Sequence, residues 1–258
     1  ISGVEALDHR LLVYRTGIGG GRLSSSAITA SMGDIIARKD SVLAVNMSFG
    51  AQYCGSTTYF KRHAKYWKNL FSRAPDVLFV AAAGNSGLRS MPSCRLAKHS
   101  LPSALSMELD NVIAVGATNQ VDKRAYFSSF GEAVDLAAPG REVWTTSPGS
   151  PTGYGGFAGT SASAPVVSGV AAVLRSIDPS LSAADTKQLL MDTADLITVC
   201  TEQFIGQCPT GSTETWARLN ANAAVATLLP PRRRLPLTYS LTTTANPSAG
   251  GTLPPTGT

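Results

Sequence analysis

Apolar positions in this chain fall into short continuous runs, separated by stretches in which they recur every three or four residues. Leu11-Leu12-Val13-Tyr14, Val42 to Met47, Val77 to Ala82, Val112 to Gly116 and Val134 to Ala137 are such runs, rich in branched side chains. Each is the length of a buried strand. Between them, Ile28, Met32, Ile35 and Ile36 keep helical spacing behind Ser24-Ser25-Ser26, residues suited to a helix start. Phe60, His63, Trp67, Leu70 and Phe71 line one side of a second helix. Strands that are apolar throughout and alternate with helices predict an α/β fold with a parallel sheet covered on both faces.

The longest apolar stretch follows Gly159-Thr160-Ser161-Ala162-Ser163-Ala164-Pro165 and runs from Val166 to Ile177. A helix over it is apolar on nearly every side and belongs in a core. Ser161 then sits at a helix N-terminus, where free N–H groups and the helix dipole favour negative charge. A hydroxyl that only caps the helix fits the same position. Asp178-Pro179 breaks the helix, and Ser182-Ala183-Ala184-Asp185 has the form of a capping box opening a helix to about Ala194. Trp216-Ala217-Arg218-Leu219-Asn220 leads into an Ala-rich helix ending near Leu229. From Pro230 the composition turns to Pro, Thr, Ser and Gly with little periodicity, so residues 1–229 read as one domain and 230–258 as a linker. Thr238 to Thr243 has strand-like composition and, with Ala245 to Thr252, resembles the opening of a β-repeat module of secreted bacterial proteins.

Composition narrows the class. The 258 residues are 43% hydrophobic and 15% charged, which suits a single globular domain with a full core. The net charge of +5 is modest, and Arg232-Arg233-Arg234 lies in the Pro-rich stretch as a solvated run, so no nucleic-acid site is expected. No uninterrupted apolar run reaches the ~18 residues of a membrane span. Four cysteines allow three pairings. The economical one joins Cys200 to Cys208 and Cys54 to Cys94, which implies an oxidising, extracellular setting; four buried thiols are the alternative.

Three stretches carry chemistry: Val45-Asn46-Met47-Ser48-Phe49-Gly50, Val80 to Gly87 with Gly84-Asn85-Ser86-Gly87 at its end, and Gly159 to Pro165. In this order they resemble the subtilisin-like serine proteases, whose fold is three-layered with a mainly parallel central sheet. The resemblance implies a serine endopeptidase in which Ser161 is the nucleophile and the Asn85 carboxamide, with the Ser161 N–H, stabilises the oxyanion. It implies that substrate backbone pairs with Ser48-Phe49-Gly50. A substrate side chain would enter between Gly50 and the strand end at Ala82 and Gly84. Asn85 also separates the chain from the sedolisin relatives, which place an Asp at that position.

The base and the acid that orients it do not match. His9, His63 and His99 are the histidines, none in a His-Gly-Thr-His context, and no Asp-Thr-Gly or Asp-Ser-Gly occurs. Against the family pattern the chain covers the later two-thirds of the domain, starting after the helix that carries the histidine. Alone it is expected to be inactive. No cofactor is required; the family often binds calcium, but no calcium position can be matched and no metal ligand is assigned. The implied partner is a peptide or protein substrate, the implied state a secreted monomer. The competing reading is a non-catalytic remnant that binds peptides or serves as a structural module.

Overall fold

The computed structural model describes residues 10–19, 22–147, 152–200 and 212–229. In chain order the elements are β1 (Gly17–Gly19), β2 (Arg22–Leu23), α1 (Ser25–Ala37), β3 (Ala44–Met47), β4 (Ala51–Gln52), α2 (Thr57–Phe71), β5 (Leu78–Ala82), β6 (Ser100–Leu101), β7 (Val112–Thr118), β8 (Leu136–Pro139), β9 (Val143–Thr146), β10 (Tyr154–Phe157), α3 (Thr160–Ile177), α4 (Ala183–Asp192), β11 (Asp195–Cys200), β12 (Thr213–Arg218) and α5 (Ala221–Leu228). Six strands form the central sheet in the order β11-β12-β8-β7-β5-β3. The pairs from β3 to β12 are parallel and only β11 runs antiparallel to its neighbour.

The apolar runs explain this sheet. Every residue of β5 and β7 is buried, as a central parallel strand with both faces covered requires. The side-chain alternation of β5 divides it between two cores. Phe79 and Ala81 join Met32, Ile35, Trp67 and Phe71 beneath α1 and α2. Leu78, Val80 and Ala82 join Val167, Leu174, Leu190 and Ala224 beneath α3, α4 and α5. This is the three-layer α/β arrangement expected from the sequence.

Helix ends follow their local chemistry. The Ser24 hydroxyl accepts from the Ala27 N–H at the start of α1. The capping box at Ser182 forms, with Asp185 bonding back to the Ser182 N–H. No residue of α3 is exposed, consistent with its apolar sequence. By length and hydropathy α3 would also be able to cross a membrane, but here it packs against β3, β5, β7 and β8. At its far end Arg175 is buried, donating to the carbonyls of Leu43 and Asp76 and pairing with the Asp76 carboxylate at 2.9 Å.

One expected strand is absent. Leu11 to Tyr14 pairs with no strand among the described residues, and Leu11 and Val13 are 85% and 81% exposed. An apolar run becomes a strand only where a neighbour accepts its hydrogen bonds; here only Tyr14 turns inward, donating to Asp34 at 2.5 Å. Three hairpins have no counterpart in the apolar runs: β1–β2, β9–β10 and β11–β12. The fifth strand begins at Leu136 rather than Val134: Val134 closes a turn by donating to the Gly131 carbonyl, and Asp135 donates to the Ala114 carbonyl of β7 just before the strand starts. Residues 230–258, with the strand suggested at Thr238 to Thr243, lie outside the described residues.

Candidate active site

Parallel pairing in register, from Ala44↔Leu78 to Met47↔Ala81, brings the carboxyl ends of β3 and β5 to one rim of the sheet. Clefts in such sheets open there. Ser48-Phe49-Gly50 leaves the end of β3, and Ala83-Gly84-Asn85 leaves the end of β5. The N-terminus of α3 meets both. The Ser161 hydroxyl donates to the Ser48 carbonyl at 3.1 Å, and the Ser48 hydroxyl donates to the Ser161 carbonyl at 2.8 Å.

Asn85 is held by the residue beside Ser161. Its Oδ1 accepts from the Thr160 N–H at 2.9 Å and the Thr160 hydroxyl at 3.0 Å. The Thr160 oxygen in turn accepts from the Gly84 N–H at 3.2 Å. Thr160 is fully buried, while Asn85 is exposed. A Cβ built on Gly159, whose φ is +154°, would lie 3.4 Å from Asn85 Nδ2 and 3.6 Å from the Ser161 nitrogen. Asn85 Nδ2 and the Ser161 nitrogen therefore both border the space beside Gly159, with the Ser161 Cβ 3.8 Å from the same point. The capping expectation is resolved in an unforeseen way: α3 has Gly159 at its cap position and no local side-chain cap, and Asn85, 75 residues away in sequence, accepts the Thr160 N–H.

A cleft of about 310 Å³ adjoins this corner, lined by Phe49, Gly50, Ala82, Gly84, Asn85, Thr160 and Ser161 together with Gln52, Ser86, Arg89 and Ser100. All the expected site residues except Ser48 line it, and Ser48 touches Ser161 directly. Gly84 has φ +108°, and a Cβ there would press on the Ser129 hydroxyl at 3.0 Å. Gly50 would press on the Leu101 carbonyl at 3.0 Å. Both positions keep the cleft open because they lack a side chain.

The far wall is tethered. Cys54 and Cys94 form a disulfide with Cα atoms 5.0 Å apart, as the economical pairing requires; Cys208, in the other expected pair, lies outside the described residues. The Gln52 side chain donates to the carbonyls of Cys94 and Leu96 at 2.8 and 3.1 Å. β4 and β6 pair Gln52 with Ser100.

No histidine or carboxylate lines the cleft among the described residues. His63 lies on α2, donating from Nδ1 to the Tyr59 carbonyl at 2.9 Å, with its ring against Tyr53. His99 ends a short turn before β6. His9 lies outside the described residues. Among the described residues the one carboxylate raised by burial is structural: Asp135 accepts from the Ala114 N–H at 2.7 Å and pairs with Lys187, and burial pushes it above the usual carboxylate range. No group of three or more His, Cys, Asp or Glu side chains that could hold a metal occurs among the described residues, so none is assigned to calcium. Sequence reasoning missed Thr160 as the clamp on Asn85, and Gln52, Arg89 and Ser100 as cleft residues. For Thr160 a signal existed, in a hydroxyl fixed next to the serine of a small-residue helix start; the others come from loops that only the fold brings together.

A serine in the first turn of a buried helix beside a clamped carboxamide, at the carboxyl end of a mainly parallel sheet, defines the subtilisin-like serine protease class. Residues 2–227 match the subtilase family, peptidase S8, and the chain belongs to that family. It is 40% identical over 121 residues to alkaline elastase YaB of Bacillus sp. (strain YaB), covering 47% of this chain and 28% of that protein. It is 41% identical over 118 residues to subtilisin Savinase of Lederbergia lenta, covering 46% of this chain and 39% of the other. A crystal structure of a cold adapted subtilisin-like serine proteinase superposes with a TM-score of 0.52 at 26% identity, over 68% of this chain and 56% of that one. The matched stretches thus span about a quarter to a half of these relatives' lengths.

Proposed function

We propose that this chain is the nucleophile-bearing part of a secreted serine endopeptidase. Ser161 attacks the scissile carbonyl, and the oxyanion that forms is stabilised by the Asn85 carboxamide and the Ser161 N–H. The observation that carries this reading is the pair of donors beside Ser161, fixed by the Thr160 clamp on Oδ1. Pre-orientation matters because a donor already aimed at the developing charge needs no reorganisation during reaction. Ser48-Phe49-Gly50 pairs with substrate backbone, and Ala82 and Gly84 form the opposite wall. The disulfide supports an extracellular setting, and the similar proteins named above that carry an organism are bacterial.

A serine hydroxyl is a weak nucleophile without an adjacent base. Here it donates to a backbone carbonyl, and neither family motif for the base or its acid occurs in the 258 residues. The proposal takes both from elsewhere in the polypeptide, so residues 1–258 alone should show no peptidase turnover. The test is labelling with a fluorophosphonate probe. The full-length gene product should label at Ser161 and lose labelling in Ser161→Ala. Asn85→Ala should lower kcat about 10²–10³-fold with little change in KM, a magnitude known from the equivalent donor of a subtilisin and carried over with family membership. A full-length product that neither labels nor cleaves peptides would establish the non-catalytic reading. Ser161-dependent labelling of the 258-residue chain would place the base among its own histidines.

A further inference from the structure

The cleft beside Ser161 has a polar floor. Ser100 is only 2% exposed as a residue, yet it lines the cleft and its hydroxyl makes no hydrogen bond among the described residues. A hydroxyl open to a cleft and without a protein partner can donate to, or accept from, whatever enters it. Its position is defined from two directions: Cβ atoms built on Gly50 and on Gly84 would each lie 3.3 Å from Ser100 Oγ. The hydroxyl therefore faces the gap between the two glycines that form the walls. Gln52 faces the same gap, its Oε1 3.6 Å from the Gly84 Cβ position. Both of its N–H bonds are directed at the carbonyls of Cys94 and Leu96, so Oε1 is oriented inward as a fixed acceptor. Arg89 also lines the cleft and is exposed, and it forms no ion pair with any described carboxylate.

A ligand side chain matching this floor must offer a donor to Gln52 Oε1 and an acceptor to the Ser100 hydroxyl. It must also tolerate a neighbouring cation. A carboxamide does all three. An aliphatic or phenyl group leaves both polar atoms unmatched and displaces their water. An ammonium or guanidinium group meets Arg89, and a carboxylate meets the lone pairs of Gln52 Oε1. Resting on the peptidase reading above, we propose that Ser100 and Gln52 make this pocket selective for a carboxamide side chain, glutamine foremost, on the residue whose carbonyl Ser161 attacks, and that Arg89 disfavours basic residues there.

The test uses the full-length gene product and fluorogenic tetrapeptides that differ only at that residue: Gln, Glu, Leu, Phe and Lys. Leaving a site's buried polar groups unmatched is expected to cost about tenfold to a hundredfold, so kcat/KM for Gln should exceed that for Leu by such a factor. Ser100→Ala should bring the Gln-to-Leu ratio towards one by lowering Gln and not Leu. Arg89→Ala should raise kcat/KM for Lys selectively. Fluorescein-labelled peptides ending in Gln or Leu, bound and not cleaved, should rank the same way by anisotropy. Cleavage with Leu or Phe equal to or above Gln overturns the pocket assignment and leaves the peptidase reading standing. Absence of all cleavage overturns the peptidase reading, while the binding ranking still decides the pocket. A preference for Glu, abolished by Arg89→Ala, would replace Gln52 by Arg89 as the selecting residue and overturn the carboxamide assignment.

Discussion

Strands β3 and β5 lie side by side, parallel and in register, and both end at Ser161, yet they are held in place by different physics. All five residues of β5 are buried, and its two faces enter separate cores. Among the described residues β3 pairs on one side only, and it leaves Asn46 exposed. The wall that continues from β5, carrying Gly84 and Asn85, is fixed by packing and by the buried Thr160. The wall that continues from β3 is fixed by discrete tethers: the exchange between Ser48 and Ser161, the β4–β6 pairing, the Gln52 side chain and the disulfide. A packed wall is lost only with the fold. A tethered wall can loosen while the fold persists, and it is the wall on which the peptide would lie.

Substitutions should separate the two regimes. Phe79→Ala on β5 should destabilise the domain by about 3–5 kcal/mol in urea unfolding, whereas Val45→Ala, half-buried on β3, should cost less than half of that; equal losses would erase the contrast. Replacing Cys54 and Cys94 by serine should cost about 2–4 kcal/mol for a loop of 40 residues. In the same variant, amide exchange should quicken across 51–55 and stay slow across 78–82. Thr160→Val removes the hydroxyl shared by Gly84 and Asn85 and should cost about 1–2 kcal/mol, with the Asn85 carboxamide losing its single orientation in a crystal structure. Ser48→Ala should cost about 1 kcal/mol or less.

The smallest effect concerns protons. Burial raises Asp135, so the folded chain binds that proton more tightly than the unfolded one. Its contribution therefore favours the folded state below the ordinary carboxylate range and fades as pH rises through the folded value. Asp185, lowered by the Ser182 hydroxyl and backbone N–H, contributes oppositely: stability present above the unfolded value and lost as pH falls through the folded one. Carboxyl-carbon NMR titrations should place Asp135 above 3.8 and Asp185 below it.

Legibility in the sequence followed the same division. β5, β7 and α3 were readable because two-sided burial writes an unbroken apolar run; Ser161 and Asn85 stood out through the family resemblance, and the fold places them where α3 begins and β5 ends. Leu11 to Tyr14 looked the same, yet Leu11 to Val13 are exposed, since composition does not record whether a neighbouring strand exists. β11 escaped notice because its burial is uneven: Val199 is buried while Leu196 is 76% exposed. Gln52 and Ser100 were not legible as a pair. They sit on strands of two residues each, 48 positions apart, and only the tethers bring them face to face.

The buried Arg175 has a consequence for motion. At 18 residues α3 is a rod of about 27 Å. Ser161 and Thr160 clamp one end of it to the carboxyl ends of β3 and β5, and Arg175 clamps the other to the segments that lead into the same two strands. A beam fixed at both ends on one support resists pivoting, so Ser161 is held where the two strands end, even though Pro165 gives its carbonyl no helical donor and the Ser48 hydroxyl serves it instead. The central amides of α3 should accordingly exchange with solvent only through global unfolding, at the same free energy as those of β5.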